Sequence, residues 1–224
     1  MLLSLQDVSK TYQISAGNVV NAVRGVTLEI DRGEFLIITG RSGSGKTTLL
    51  NLAAGLTRPT SGRVFLDEIN LWELPDKRQS AVRNRKIGFI FQFPSLLPAL
   101  TVLENVALPT AFNANHRQPP ASDQAVELLR TVGLSDKLTS YPRQLSAGQQ
   151  QRVVIARSLI NQPEILLADE ATSDLDEQTE HEIMELLKEI HDKSAVTILM
   201  VTHTTQLVSY GTRALQMANG VLSG

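Results

Sequence analysis

The sequence predicts an α/β fold with a mainly parallel core sheet, an N-terminal antiparallel β subdomain and an inserted α-helical subdomain. Short, largely apolar runs recur at residues 35–39, 87–91, 165–168 and 196–201, which is typical of strands buried on both faces of a parallel sheet. Helical segments lie between these runs, and strand alternating with helix is typical of this class.

The first thirty residues have a different character. Short β-rich runs cover residues 3–8, 19–23 and 26–30, and they predict a small antiparallel sheet. The apolar runs of the parallel core begin after Gly33. We therefore expect the antiparallel strands to precede the core sheet as a subdomain.

Helices are predicted between the core strands, at residues 46–54, 101–112, 122–132, 147–161 and 177–192. Ser122 is the expected N-cap of the third helix. The strong loop composition in the middle of the chain is that of residues 113–122. We expect one domain, residues 1–224, from which a helical subdomain of about residues 93–145 projects.

The composition excludes several classes of protein. Of the 224 residues, 42% are hydrophobic and 20% are charged, which excludes collagen-like and disordered chains. The 21 basic and 23 acidic residues give a net charge of -2, so no bulk attraction to nucleic acid or anionic lipid is expected. The absence of cysteine excludes a disulfide scaffold and a thiolate metal site.

Neither an export signal nor a membrane-spanning helix is expected. The N-terminus lacks a basic stretch followed by an apolar run of signal-peptide length. The longest uninterrupted apolar runs are far shorter than the ~18 residues that a spanning helix needs.

A phosphate-binding motif follows the first core strand. The pattern G-x-x-x-x-G-K-[ST] is matched by Gly40-Arg41-Ser42-Gly43-Ser44-Gly45-Lys46-Thr47, with Thr48 next, where a helix is predicted to begin. Free backbone amides and the helix dipole favour a polyphosphate there. We expect Lys46 to reach the β- and γ-phosphates and Thr47 to ligate Mg²⁺. The motif predicts nucleotide binding without choosing among kinase, GTPase, helicase and transporter motor.

Polar residues follow two later core strands. Asp169 and Glu170 come directly after the apolar run 165–168, at the edge where open α/β sheets bind ligands. Asp169 is the expected Mg²⁺ partner, and Glu170 the residue that orients or deprotonates the attacking water. His203 closes another apolar run and is placed to hydrogen-bond a γ-phosphate. The alternatives are a solvated acidic loop for the carboxylates and a surface or packing role for the histidine.

A second candidate anion site lies at residues 145–152, Leu-Ser-Ala-Gly-Gln-Gln-Gln-Arg. Ser146 and free amides at a helix N-terminus favour an anion. Residues 40–47 already provide a phosphate-binding site for one nucleotide. This segment is therefore predicted to bind the nucleotide of another subunit. A capped amphipathic helix is the alternative for the segment alone.

Taken in order, these motifs resemble the ATP-binding subunit of an ABC transporter over nearly the whole chain. They are GRSGSGKT, Gln92 in FIFQF, LSAGQQQR, ILLADE, SDLD at residues 173–176, and His203. The flanking sequence is similar to the branch that contains lipoprotein-release, macrolide-export and cell-division ATPases. The resemblance implies the ABC ATPase fold, a P-loop NTPase, and hydrolysis of ATP with Mg²⁺ as cofactor.

The resemblance also implies a head-to-tail homodimer around two ATP molecules. The nucleotide on one phosphate loop would be bound in trans by Ser146, Ala147, Gly148 and Gln149 of the other copy. Asp176 would lie at the dimer interface. Three positions depart from the usual family pattern, namely Ala147, Ala171 and Thr204. None of them removes a ligand of the phosphate, the metal or the water, so we expect a working ATPase. The open question is its rate of hydrolysis.

Within one copy, the resemblance assigns further roles. Tyr12 would stack on adenine, with packing in the small sheet as the alternative. Gln92 would contact Mg²⁺ and the attacking water, which makes it both a metal ligand and a catalytic residue, beside Lys46, Glu170 and His203.

A separate integral membrane permease subunit is implied as a partner, docking near residues 93–103, with a buried loop as the alternative for that segment, and no nucleic-acid partner is expected. The chain would then lie in the cytoplasm, on the inner face of the cell membrane. Two alternatives stay open: an ABC ATPase that regulates a membrane complex such as the cell-division machinery without transport, and, less favoured, a soluble ABC ATPase.

Overall fold

The structure is a computed structural model that describes residues 1–15, 18–112 and 122–224. The loop predicted at residues 113–122, apart from its last position, lies outside the described residues, as does the side chain of Ser122 with its expected capping role. A helix does begin at Ser122.

Two sheets organise the described chain. The antiparallel sheet has the strand order β2-β1-β4-β5, formed by β1 (Leu3–Ser15), β2 (Asn18–Ile30), β4 (Ser61–Leu66) and β5 (Ile69–Asn70). The core sheet has the order β10-β9-β3-β8-β7-β6, formed by β3 (Phe35–Thr39), β6 (Ile87–Ile90), β7 (Ile165–Asp169), β8 (Thr197–Thr202), β9 (Arg213–Ala218) and β10 (Val221–Ser223). The core strands are parallel except for β10, which pairs antiparallel with β9.

Helices connect and cover these strands. They are α1 (Lys46–Ala53), α2 (Asp76–Lys86), α3 (Val102–Ala107), α4 (Ser122–Thr131), α5 (Ala147–Leu159) and α6 (Glu177–Ser194). The helix predicted over residues 101–112 is shorter, because α3 ends at Ala107 and a 3₁₀ turn continues over Leu108–Phe112. Pro109 lacks the amide hydrogen that an α-helix would need there.

The core sheet is buried on both faces. Alternate residues of one strand contribute to different apolar clusters: Phe35 and Ile37 pack on the side of α3, α4, α5 and α6, whereas Leu36 and Ile38 pack on the side of β1, β2 and α1. All five residues of β3 are buried. The successive side chains of a strand point to opposite faces, so the largely apolar runs in the sequence are the signature of this three-layer packing.

The predicted fold class is confirmed, with elements that the sequence patterns did not reveal. The missed elements are β4, β5, α2 and the β9–β10 hairpin. Helix α2 reads DKRQSAVRNRK, in which only Ala81 and Val82 are apolar, so it has no apolar period to detect. Among the described residues, no helix is both long enough and apolar enough to cross a bilayer.

Four charged side chains form a closed ring near the starts of the core strands. Arg32 and Lys86 each pair with both Asp67 and Glu164, at nitrogen–oxygen distances between 2.5 and 2.9 Å. Asp67 follows β4 in the antiparallel sheet, whereas Arg32 and Glu164 precede the core strands β3 and β7. The ring therefore ties the two sheets together.

The ring lowers the pKa of both carboxyl groups. The hydrogen bond from Lys86 is the largest influence on Asp67 and lowers its pKa below the ordinary 3.8. Burial alone would raise the pKa of Glu164, but hydrogen bonds from Lys86 and Arg32 outweigh burial and keep it below 4.5. Because the folded-state pKa values lie below the unfolded ones, this stabilisation is present above the ordinary carboxyl pKa and is lost as pH falls through the lowered values.

We predict that the double variant Asp67→Asn/Glu164→Gln unfolds at a lower temperature than the unaltered chain at about pH 7. The difference should shrink below about pH 4, where the original carboxylates also become protonated. Thermal unfolding followed by circular dichroism across this pH range measures both effects. Glu127→Gln is the control, because Glu127 pairs with Arg130 on the exposed face of one helix. A melting difference that does not change with pH would contradict the prediction.

Candidate functional site

Polar residues meet at the carboxyl edge of the core sheet. The phosphate loop follows β3, His203 follows β8, Asp169 ends β7, and Gln92 lies two residues after β6. These four strands are adjacent in the sheet, in the order β3-β8-β7-β6. The carboxyl edge is where open parallel sheets bind their ligands, so the strand order explains why residues far apart in sequence converge.

Close packing around the phosphate loop requires glycine at two positions. Gly45 has φ +105°, and a β-carbon there would lie 2.1 Å from the carbonyl oxygen of Ala22. A β-carbon on Gly40 would lie 2.3 Å from the carbonyl oxygen of Met217. The loop is thus pressed between β2 and β9, which leaves its amides at the open side of the α1 N-terminus.

Lys46 is buried at the centre of the loop. Its side chain is 4% exposed, and Nζ donates hydrogen bonds to the carbonyl oxygens of Gly40 at 2.8 Å and Arg41 at 3.2 Å. Nζ also lies 3.5 Å from Oε1 of Glu170. A buried ammonium group needs compensation by anions or carbonyl oxygens, and this one is placed to exchange such contacts for phosphate oxygens.

Thr47 and Asp169 form the oxygen pair that was expected to hold Mg²⁺. Thr47 Oγ1 donates a hydrogen bond to Asp169 Oδ1 at 3.0 Å. Burial is the main reason why the pKa of Asp169 is raised, with a further contribution from the charge of Glu170. A divalent cation would offset both effects, and hydroxyl and carboxylate oxygens are the ligands that Mg²⁺ prefers. The residues present therefore fit the ion.

Glu170 lies between Lys46 and His203. Its Oε2 is 3.0 Å from Nδ1 of His203, and its backbone amide donates to the carbonyl oxygen of Val201 at 2.9 Å. Glu170 has φ +45°, a conformation that a residue with a β-carbon adopts only where its surroundings impose it. The hydrogen bond to β8 and the contacts of its carboxylate supply that restraint, so the orientation of Glu170 is defined before any substrate binds.

A cavity of about 580 Å³ opens at this edge, a volume typical of small-ligand sites. Its lining includes eight of the predicted residues: Ser42, Gly43, Gly45, Lys46, Thr47, Thr48, Gln92 and Glu170. It also includes residues that sequence reasoning missed: Val20, Asn21, Ala22, Arg24, Asn219 and Gly220. The Asn-Gly pair is a hairpin signal, but nothing in the sequence indicates that this hairpin reaches the phosphate loop.

Tyr12 lies beside this cavity and not in its lining. It pairs across the sheet with Val20, which does line the cavity. Tyr12 is 39% exposed, and Nζ of Lys10 lies 5.0 Å from the centroid of its ring. An exposed aromatic face next to the cavity wall fits both a stacking role and the alternative of packing in the small sheet.

The predicted in-trans residues lie at the N-terminus of α5, outside the lining of the cavity. Ser146 Oγ accepts a hydrogen bond from the amide of Gln149 at 3.3 Å, and Gln149 Oε1 accepts one from the amide of Ser146 at 3.0 Å. This reciprocal capping box satisfies two backbone amides at the N-terminus of α5. Ser146 and Ala147 are exposed, and the Ser146 hydroxyl retains its own hydrogen for donation.

Asp176 connects the start of α6 to the start of α5. It caps α6 by accepting hydrogen bonds from the amide of Thr179 at 3.0 Å and its hydroxyl at 2.6 Å, and these bonds lower the pKa of Asp176. A β-carbon on Gly148 would lie 2.5 Å from Cγ2 of Thr179. The cap therefore fixes the side chain against which Gly148 packs.

A second cavity, of about 610 Å³, lies near the starts of the core strands, far from these residues. Its lining includes Arg32, Glu164 and Thr197 together with apolar residues of α4, α5 and α6. It contains none of the predicted site residues, so size alone does not identify the functional site.

Comparison with known proteins agrees with this geometry. The sequence model of the ABC transporter family matches residues 23–173. The lipoprotein-releasing system ATP-binding protein LolD 1 of Chlorobium chlorochromatii is 41% identical over 98% of this chain and 89% of its own length. The macrolide export ATP-binding/permease protein MacB of Syntrophobacter fumaroxidans is 40% identical over 99% of this chain, which covers 31% of that longer protein. The predicted resemblance is confirmed.

A solved structure agrees in fold as well. The ATP-binding cassette MJ0796 of Methanocaldococcus jannaschii, captured as a dimer in a post-hydrolysis state bound to ADP and Pi, is 39% identical with a TM-score of 0.91. The similarity covers 100% of this chain and 97% of that one. The predicted ABC ATPase fold and ATPase activity are thereby confirmed. The chain belongs to the ABC transporter family, as an ATP-hydrolysing subunit.

Proposed function

We propose that this chain is the motor of a transporter that extrudes lipoproteins, peptides or drugs, and that two copies close head to tail around two ATP molecules. One observation carries the proposal: the exposed N-terminus of α5, with the Ser146 hydroxyl, does not line the cavity of its own chain. A helix N-terminus of this kind favours an anion, and a second copy can supply it. The dimeric state of MJ0796 supports this arrangement.

Within one copy, Lys46 and the amides of residues 40–47 bind the β- and γ-phosphates, and Glu170 orients the attacking water for in-line displacement. The 3.5 Å separation between Lys46 and Glu170 supports these roles, because the lysine charge faces the site where negative charge develops. Gln92, in the lining of the same cavity, would contact the water and the metal.

Thr47, Gln92 and Asp169 would hold Mg²⁺, which supplies charge neutralisation on the phosphates when it is bound. Few protein ligands suffice, since Mg²⁺ usually retains several waters and takes other ligands from the substrate phosphates. Nδ1 of His203 lies 3.0 Å from Oε2 of Glu170, which leaves Nε2 for a hydrogen bond to the γ-phosphate.

Tyr12 stacks on adenine at the edge of the cavity. Its exposed ring and its pairing with Val20 support this assignment, because a flat aromatic face and a cavity wall together enclose a base.

The other half of each site comes from the second copy. Ser146, Ala147, Gly148 and Gln149 bind the γ-phosphate in trans, and Asp176 lies at the dimer interface. The capping box and the packing of Gly148 on Thr179 support these roles, because they present the α5 amides as one rigid surface.

ATP favours the closed dimer because it completes both half-sites, and hydrolysis removes that differential affinity. Residues 1–224 act as one ABC ATPase domain, and its helical subdomain, the described part of about residues 93–145, receives a separate integral membrane permease. Exposed Phe93 and Leu97 support docking at residues 93–103. The chain then works in the cytoplasm, on the inner face of the membrane.

We predict that Glu170→Gln abolishes most turnover, by about 10²- to 10⁴-fold, because the group that positions the water loses its charge. The variant should still bind ATP and remain dimeric. Gel filtration with ATP and Mg²⁺ measures the dimer, and a phosphate-release assay measures turnover. A Glu170→Gln protein that elutes as a monomer with saturating ATP would contradict the head-to-tail sandwich.

Lys46→Ala should weaken ATP binding by about 10- to 100-fold. Loss of a charged hydrogen-bond donor costs about 1.5–3 kcal/mol, and about 1.4 kcal/mol corresponds to each factor of ten. Titration with a fluorescent ATP analogue measures the affinity. Lys77→Ala, on the exposed helix α2, is the control, and equal affinities in the two variants would refute the assignment of Lys46.

Gly148→Ala should slow hydrolysis and lower the melting temperature, because the new methyl group meets Cγ2 of Thr179 at 2.5 Å. Overpacking costs about 1–3 kcal/mol, which exceeds the roughly 0.5–1 kcal/mol that alanine contributes over glycine in a helix. Steady-state ATPase assays and thermal unfolding measure the two effects.

A compensating change makes this prediction specific. Thr179→Ser removes Cγ2 and keeps the hydroxyl that donates to Asp176, so the double variant should recover most of the lost activity. Ala147→Gly is the neighbouring control at an exposed position, and an unchanged rate there would show that the extra methyl is harmless. A double variant as slow as Gly148→Ala would contradict the proposed contact.

A further inference from the structure

The loop that carries Gln92 has little regular structure of its own. Strand β6 ends at Ile90 and α3 begins at Val102. Between them, Gln92 is exposed to the cavity. Its side chain can face a metal or a water reproducibly only if something outside the loop restrains the backbone, because ordering flexible residues costs conformational entropy.

Two side chains restrain this loop from neighbouring helices. Asn105 of α3 is fully buried and uses its amide group to bind the backbone of Leu97, Leu100 and Thr101. This restrains the part of the loop next to α3. The part next to Gln92 depends on a different residue.

Arg157 of α5 restrains the residues that follow Gln92. Nη2 donates to the carbonyl oxygen of Pro94 at 3.0 Å, and Nη1 donates to the carbonyl oxygen of Ser95 at 2.9 Å. The planar guanidinium can make two such bonds in a fixed geometry. Only Phe93 separates Gln92 from the first of these contacts.

The backbone at this point is strained. Ser95 has φ +46°, a left-handed conformation that a residue with a β-carbon keeps only when its surroundings impose it. The Arg157 bond to the Ser95 carbonyl supplies such a restraint. The side chain of Ser95 adds a hydrogen bond to the carbonyl oxygen of Phe93 at 3.1 Å.

The charge of Arg157 is not matched by a carboxylate. Among the ion pairs of the described residues, none includes Arg157, and burial lowers its pKa from the ordinary value. Removing a cation from water costs free energy, and hydrogen bonds to carbonyl oxygens alone offset little of that cost. Arg157 is therefore not explained by a gain in folding stability. Its placement is better explained by the geometry that it imposes on the loop.

We propose that Arg157 is a positioning residue for ATP hydrolysis: it fixes the backbone at Pro94 and Ser95 so that Gln92 faces the metal and the attacking water. The inference rests on the role proposed above for Gln92. Because Arg157 and Ser146 lie near opposite ends of α5, the same helix that reaches the partner's nucleotide also orients Gln92 in its own chain.

The test is a double-mutant cycle of Gln92→Ala and Arg157→Ala, measured as kcat and KM for ATP. Arg157→Ala should lower kcat by about tenfold and change KM by less than about twofold, because it affects positioning and not ATP binding. The double variant should be no slower than Gln92→Ala alone, since residues that act through one another are not additive. Effects that multiply, or a wild-type kcat in Arg157→Ala, would overturn the inference.

The cycle also separates this inference from the proposed function. Full kcat in Gln92→Ala would overturn the role of Gln92 and with it the inference, whereas an impaired Gln92→Ala beside an unimpaired Arg157→Ala overturns the positioning role alone. Arg83→Ala is the matched control, because Arg83 also donates to a backbone carbonyl, that of Gly55 at 3.0 Å; it should keep kcat.

Two further variants test the proposal if Arg157→Ala does not fold. Arg157→Lys keeps the charge but cannot make the two forked bonds, so a kcat loss of about threefold is expected and an unchanged kcat overturns the proposal. Ser95→Gly in the Arg157→Lys background should restore part of kcat, because glycine adopts φ +46° without strain. No recovery would overturn the restraint of Ser95 by Arg157.

Discussion

The structure depends on the placement of one buried ammonium group at the carboxyl edge of a parallel sheet. Lys46 is surrounded by loop carbonyl oxygens and lies 3.5 Å from Glu170. A triphosphate provides the anionic partners that such a group requires. The glycines at positions 40 and 45 bring β9 and β2 close enough to hold the loop in this shape. The neighbouring oxygen pair of Thr47 and Asp169 then offers a place for the cation that accompanies the phosphates.

In the proposed mechanism, the second requirement is that one copy of the chain is incomplete. The cavity gathers the phosphate loop, Gln92 and Glu170, but the α5 N-terminus with Ser146 is exposed elsewhere on the surface. In this proposal, nucleotide binding and subunit association become one equilibrium, since ATP stabilises whichever state uses both surfaces. Helix α5 links that surface to the Gln92 loop through Arg157. In the proposed dimer, the geometry of one half-site would therefore depend on the helix that serves the other.

The sequence predicted the parts of this arrangement that have local patterns. The phosphate loop, the strand-end carboxylates and His203 have a fixed spacing relative to apolar runs, and the structure brings Lys46, Glu170 and His203 together as expected. Strands β3 and β7 were predicted within one residue of their bounds, because full burial leaves an uninterrupted apolar run.

Other parts have no local signature. Asn219 reaches the cavity because β9, which it follows, pairs with the distant strand β3. Arg24 is joined to the same turn by the hydrogen bond from its amide to the carbonyl oxygen of Gly220, and Arg157 reaches its loop across about sixty residues of sequence. The ring of Arg32, Asp67, Lys86 and Glu164 depends in the same way on how two sheets pack. Such contacts follow from tertiary structure, which periodicity and motif spacing do not specify. The shortened α3 reflects Pro109, whose effect depends on its position within the turn.

The most direct test is an experimental structure of the Glu170→Gln variant with ATP and Mg²⁺. The account predicts two copies related head to tail, with each γ-phosphate contacted by Lys46 of one copy and by the Ser146 hydroxyl and α5 amides of the other. A structure in which residues 145–149 point away from every γ-phosphate would contradict it.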